Sequence, residues 1–215
     1  MNLPFGLRNP EHTTWVREQT RTDINEDQQH GIALAFNSEK LRAELMAIAG
    51  NLQLSPSDYH ERGYSGYAEW SLTKKAAVGV SSLITRARYD ATTQTPYFVR
   101  QAHGLFGRWS PFEHLVLLGE VDLLAQRSQG EETDTGYTSL LQADVELIQG
   151  VHVMTSGELL RQNGATSYGA WVTLDWFIGP HAELRLDWNP RSLGVPNGGD
   201  SVGVTMLLAQ LHLTL

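Results

Sequence analysis

The sequence predicts an all-β chain, an antiparallel up-and-down transmembrane β-barrel of about 11–12 strands. Three observations predict it: segments in which apolar and polar residues alternate, connections that alternate between short and long, and tyrosines gathered at one set of strand ends. No apolar run approaches the ~18 residues that a membrane helix needs. A barrel strand is apolar only at every second position, so a mean hydropathy of −0.29 is compatible with spanning a bilayer.

Successive side chains of a strand point to opposite faces. In residues 181–188, Ala182, Leu184, Leu186 and Trp188 share one face, and Glu183, Arg185 and Asp187 the other. The same split sets Leu41, Ala43, Leu45, Ala47 and Ala49 against Arg42, Glu44 and Met46. Leu115, Leu117, Val121, Leu123 and Ala125 oppose Glu120, Asp122 and Gln126, and Leu141, Ala143, Val145 and Leu147 oppose Gln142, Asp144 and Glu146. Strands are expected at 29–37, 41–51, 64–72, 76–89, 97–109, 114–127, 136–148, 151–161, 167–177, 181–188 and 201–215, with residues 2–7 a candidate tail of one more. The faces of 76–89 and 97–109 are ambiguous; in the second, Arg100 and Arg108 share parity with Phe106. Most segments match the ~9–11 residues of a tilted membrane strand. No helix is expected.

The short connections are 38–40, 73–75, 110–113, 149–150 and 178–180; the long ones are 8–27, 52–63, 90–96, 128–135, 162–166 and 189–200. Outer-membrane barrels have short periplasmic turns and longer extracellular loops, which places the C-terminus in the periplasm. Tyr64, Tyr67, Tyr89, Tyr97, Tyr137 and Tyr168 then fall near the extracellular strand ends, with Tyr59 in the adjoining loop and Trp70, Trp109 and Trp176 near the opposite ends. Amphipathic rings settle at the membrane–water interface.

The final segment, Val202-Gly-Val-Thr-Met-Leu-Leu-Ala-Gln-Leu-His-Leu-Thr-Leu215, resembles the closing strand of bacterial outer-membrane proteins, although Leu215 stands where that class usually ends in an aromatic residue. Residues Asn2-Leu-Pro-Phe-Gly6 are similar to a strand ending found midway through porin-like barrels, including relatives of phosphate porins. The resemblance implies a cell outer-membrane location, contact with the lipid bilayer and recognition of the last strand by the barrel-assembly machinery. It also implies that residues 1–215 form a single β-barrel domain lacking its N-terminal strands and signal peptide, since Met1 is followed by neither a basic nor an apolar leader.

Cysteine is absent, which excludes disulfides, thiolate zinc sites and covalent haem attachment. A net charge of −8 argues against nucleic acid as a partner. The eight histidines show no metal-binding spacing, so neither a metal nor another cofactor is expected. Ser156, Asp144 and His152 could neighbour one another, but no Gly-x-Ser-x-Gly elbow occurs and no catalytic residue is assigned.

The expected lumen row is Arg42, Glu44, Glu69, Glu120, Asp122, Asp144, Glu146, Glu158, Asp175, Glu183, Arg185 and Asp187, with His103, His152 and His212 as further basic groups. It fits a water-filled pore with weak cation preference, and also a salt-bridged, hydrated interior without a selected permeant, since every barrel lumen is polar. The long loop 8–27 carries Trp15, Arg17 and Arg21, which either fold inward as a constriction or belong to a solvated external loop. The function expected is a porin-like channel for passive passage of small polar solutes or ions, with or without homo-oligomerisation. The alternatives are a sleeve or scaffold for a periplasmic or redox partner, an outer-membrane enzyme, and a soluble β-barrel.

Overall fold

A computed structural model describes residues 14–19, 30–50, 58–89, 94, 96–196 and 199–213. Eleven strands follow one short helix: α1 (Trp15–Gln19), β1 (His30–Asn37), β2 (Leu41–Gly50), β3 (Arg62–Thr73), β4 (Ala76–Tyr89), β5 (Pro96–Phe112), β6 (Leu115–Arg127), β7 (Asp134–Ile148), β8 (Val151–Gln162), β9 (Ala165–Gly179), β10 (Ala182–Leu193) and β11 (Val202–Leu213). The strands form a single antiparallel up-and-down sheet in chain order. Among the described residues β1 and β11 have one strand partner each, and the sheet does not close. The candidate strand tail at 2–7, Arg21 and Leu215 lie outside the described residues.

The strand bounds agree with the alternation to within a few residues, with one exception. β10 runs on to Leu193, where the sequence suggested a loop from Asn189. Pro190 has no N–H to donate, so the β9–β10 register passes from Trp188↔Val172 directly to Arg191↔Gly169, while β11 pairs continuously alongside. The connection expected to be long at 162–166 is a tight hairpin instead. Asn163 and Gly164 take positive φ of 51° and 73°, the conformation that a two-residue type I′ turn needs and that Asn-Gly favours. At the other rim the β5–β6 turn narrows to Glu113 and His114, because β5 extends to Phe112. The remaining long connections lie at one rim of the sheet, together with the 163–164 turn, and the other short turns lie at the opposite rim.

The helix is the second departure. At five residues, α1 is too short to show a 3.6-residue period, and a helix of that length has no stability of its own. It rests against β6, β7 and β8, with Trp15, Val16 and Arg17 buried.

The two faces of the sheet are opposite in character. One presents Ile32, Leu34, Leu45, Leu105, Leu123, Leu141, Leu186 and Leu211, all exposed, with Ile32 at 76%. The other buries Glu69, Arg100, Glu120, Asp122, Glu158 and Asp187. Every Asp and Glu in the described strands lies on this second, polar face. A soluble protein rarely exposes contiguous apolar surface beyond a few hundred Å². Here the apolar face runs across all eleven strands, which inverts the arrangement of a soluble fold.

The polar face is not polar throughout. Near the long-loop rim Met46, Ile48, Leu83, Ala102 and Leu124 pack with Leu160 into a buried apolar cluster, built by the cross-strand row Met46–Ser65–Leu83–Ala102–Leu124. The ambiguity of β4 and β5 has the same origin, since both carry apolar residues on both faces.

Candidate functional site

All twelve residues expected in the lumen row stand on the polar face. His103 does not: its parity is that of Leu105, and on the apolar face its Nδ1 lies 3.0 Å from Ser82 Oγ. Arg100 and Arg108 occupy the polar positions of β5 instead. Tyr67 also leaves the expected outer girdle, turning inward to meet Phe106 edge-on at 6.3 Å. Tyr89 shares the inward parity and leans on Tyr59. Tyr64, Tyr97 and Tyr168 are exposed on the apolar side, where Tyr137 is half-buried, and Trp70, Trp109 and Trp176 are exposed on it near the short-turn rim.

The charges form local networks. Arg108 on β5 donates to Glu69 on β3 at 2.9 Å, and Arg42 on β2 approaches the same carboxylate at 3.7 Å. That bridge skips β4, whose polar-face positions there are Ala77 and Gly79 and leave room for it. Arg100 reaches Glu61 at 3.1 Å, and Thr85 donates to the same carboxylate. At the short-turn rim His152 contacts Asp144 at 3.1 Å, His114 contacts Glu146 at 3.3 Å, and His212 contacts Glu183 at 3.5 Å. Glu44 lies across from Tyr67, and Asp175 lies between His152 and Arg185 in the register. Glu120 and Asp122 are buried near mid-strand on β6, and neither Asp122 oxygen has a hydrogen-bond partner among the described residues.

Several donors converge on the Asp187 carboxylate. It accepts from Trp171 Nε1 at 2.9 Å, Thr173 Oγ1 at 2.6 Å and Arg185 Nε at 3.0 Å. A buried carboxylate is tolerated when donors surround it in this way.

Helix α1 is tied to the same face. Trp15 N–H donates to Glu158 Oε2 at 2.8 Å, and the Arg191 guanidinium lies 5.0 Å from the Trp15 ring centroid. Arg191 also approaches Glu158 at 3.8 Å across Gly169 of β9. The indole sits over Gly169, where an added Cβ would come 3.4 Å from its edge. Of the three residues named in the long loop 8–27, for which a constriction and a solvated external loop were both open, Trp15 and Arg17 are buried beside the polar face.

Arg100, Arg108, Asn189 and Arg191 are polar-face residues that the sequence reading missed. The first two required the parity of β5, and the last two the extension of β10. Ser156 lies four residues along β8 from His152, roughly 13 Å in a strand, which is beyond proton-transfer reach. Among the described residues no group of three or more His, Asp or Glu converges as a metal site.

A continuous apolar face, a charged opposite face and eleven up-and-down strands point to one class of known structure. The outer membrane channel DcaP of Acinetobacter baumannii superposes with a TM-score of 0.64 at 6% sequence identity, over 85% of this chain and 61% of that one. The fold is that of a porin-like outer-membrane β-barrel. The chain spans 61% of the length of the channel it matches. No protein-family model and no curated relative matches the sequence.

Proposed function

We propose that this porin-like chain lines a passive channel of the bacterial outer membrane for small polar solutes or ions, with a weak preference for cations. One observation carries the reading: the strand carboxylates are confined to the face opposite an exposed apolar surface. In a bilayer the apolar face meets acyl chains and the charged face encloses water, and carboxylate-rich walls favour cations. The likeness to DcaP, itself an outer membrane channel, supports the same assignment. In this orientation the long-loop rim is extracellular, and the C-terminal strand, read by the barrel-assembly machinery, ends at the periplasm. Helix α1, held to the wall by Glu158, narrows the passage.

Reversal potentials across a planar bilayer under a salt gradient test the reading. Asp144, Glu146 and Glu183 are the suitable targets, because their side chains remain partly exposed while Asp122 is sealed. Asp144→Lys, Glu146→Lys and Glu183→Lys combined should swing the preference from cations to anions. Absence of any conductance from the inserted wild type would overturn the channel.

A further inference from the structure

The apolar face has its own charge pattern, separate from the passage. Although the chain carries a net charge of −8, no Asp or Glu of the described strands lies on this face. Its arginines are Arg62, Arg86, Arg88, Arg127 and Arg161, all exposed and all at the long-loop rim. Arg88 pairs with Asp58 at 3.5 Å. Arg62, Arg86, Arg127 and Arg161 form no salt bridge among the described residues.

The register makes this more than a scatter of surface charge. Arg62 on β3 stands directly opposite Arg86 on β4; Arg86 is opposite Val99 on β5, and Val99 is opposite Arg127 on β6. Like charges directly opposed across a sheet are destabilising, and neighbouring strands are only about 4.8 Å apart. Such a row is held without penalty when an anion lies along it. The tyrosines set its depth. Tyr64 is two residues from Arg62 on the same face, and Tyr137 pairs directly with Arg161. Aromatic rings mark the boundary of the apolar band, so the guanidinium groups stand at the level of lipid headgroups. Planar guanidinium groups match phosphate oxygens two at a time.

We propose that this arginine row is a docking surface for phosphate-bearing lipid headgroups of the extracellular leaflet, specifically a bisphosphorylated acylated glucosamine disaccharide of the lipid A type. The inference rests on the membrane orientation proposed above.

The test refolds the full chain into phosphatidylcholine vesicles with and without bisphosphorylated lipid A, and records the temperature at which the compact gel form converts to the unfolded one. For the wild type, lipid A should raise that temperature, whereas dephosphorylated lipid A and free inorganic phosphate should not. Arg62→Gln/Arg86→Gln/Arg127→Gln should lose most of the rise. In pure phosphatidylcholine the same variant should melt no lower than wild type, since neutralisation relieves the repulsion, so the order of the two proteins reverses between the membranes. An equal rise in the variant, or an equal rise with dephosphorylated lipid, would overturn the site. Should the triple variant fail to insert, Arg62→Gln and Arg86→Gln singly carry the test, each with a smaller rise than wild type; an undiminished rise in both overturns it. A wild type that never enters phosphatidylcholine vesicles overturns the membrane placement itself, whereas one that inserts and shows the lipid A effect without conducting overturns only the channel.

Discussion

Trp15 donates its backbone N–H to Glu158 at 2.8 Å, joining two residues 143 positions apart and fastening α1 to the β8 wall. Glu158 holds Trp15 and Arg191 together, so removing it leaves a buried amide and a guanidinium without that partner. Glu158→Ala should cost about 1–3 kcal/mol, the scale of an unsatisfied buried donor. As α1 leaves the wall, single-channel conductance should rise and become noisier. Unchanged conductance in a folded Glu158→Ala protein would remove α1 from the permeation path.

Asp187 should matter more to stability than the carboxylates at the short-turn rim. Three donors converge on it at 2.6–3.0 Å, and the side chain is buried. Asp187→Ala should destabilise the barrel by about 2–5 kcal/mol in a denaturant titration. Asp144→Ala should cost less than about 1 kcal/mol, because its pair with His152 is partly exposed to water. Comparable losses at both positions would show that the Asp187 cluster has no special weight.

Two glycines separate packing from chain flexibility. A Cβ on Gly79 would collide with the Phe106 ring and with Ala68 O, whereas one on Gly157 meets nothing within 4 Å. Gly79→Ala should therefore cost roughly 1–3 kcal/mol through displacement of Phe106. Gly157→Ala should be neutral or stabilising by up to about 1 kcal/mol, because it restricts the unfolded chain. Unfolding curves of the two variants settle the comparison, and the opposite ranking would mean that Phe106 repacks freely.

The closing strand tests the assignment of faces. Leu211 pairs with Leu184 on the apolar side, while Gln210 pairs with Arg185 and points to Asp187 at 3.5 Å. Arginine on the lipid side costs about 2–4 kcal/mol at the bilayer midplane and less toward the interface, and Leu211 shares a cross-strand row with Leu184 and Trp176 near the short-turn rim. Leu211→Arg should impair insertion into vesicles, whereas Gln210→Arg stays on the polar face, opposite Arg185 and diagonal to Glu183 and Asp187, and should impair it less. Equal or reversed effects would indicate an apolar core inside and water outside.

Much of this architecture is local and so legible in the chain. Alternation has a period of two, and a residue's face follows from its neighbours along the same strand. That is why Glu120, Asp144, Glu183 and the other expected lumen residues stand on one face, as their parity indicated. The reading failed where the alternation was weak. In β5 the apolar residues divide between faces, which hid Arg100 and Arg108 and misplaced His103. At Asn163–Gly164 the turn chemistry was present in the sequence and its length was misjudged.

By itself, then, the sequence determined the strands, their order up and down, and which side chains share a face, because each depends on residues within a few positions of one another. The tertiary structure alone decided which charges meet: Arg108 with Glu69 over Gly79, Arg191 with Glu158 across Gly169, and Arg62 opposite Arg86. It also decided that a single helical turn at Trp15 docks on the polar face. Those contacts depend on inter-strand register and on pairing between distant segments, and no local period in the chain encodes either.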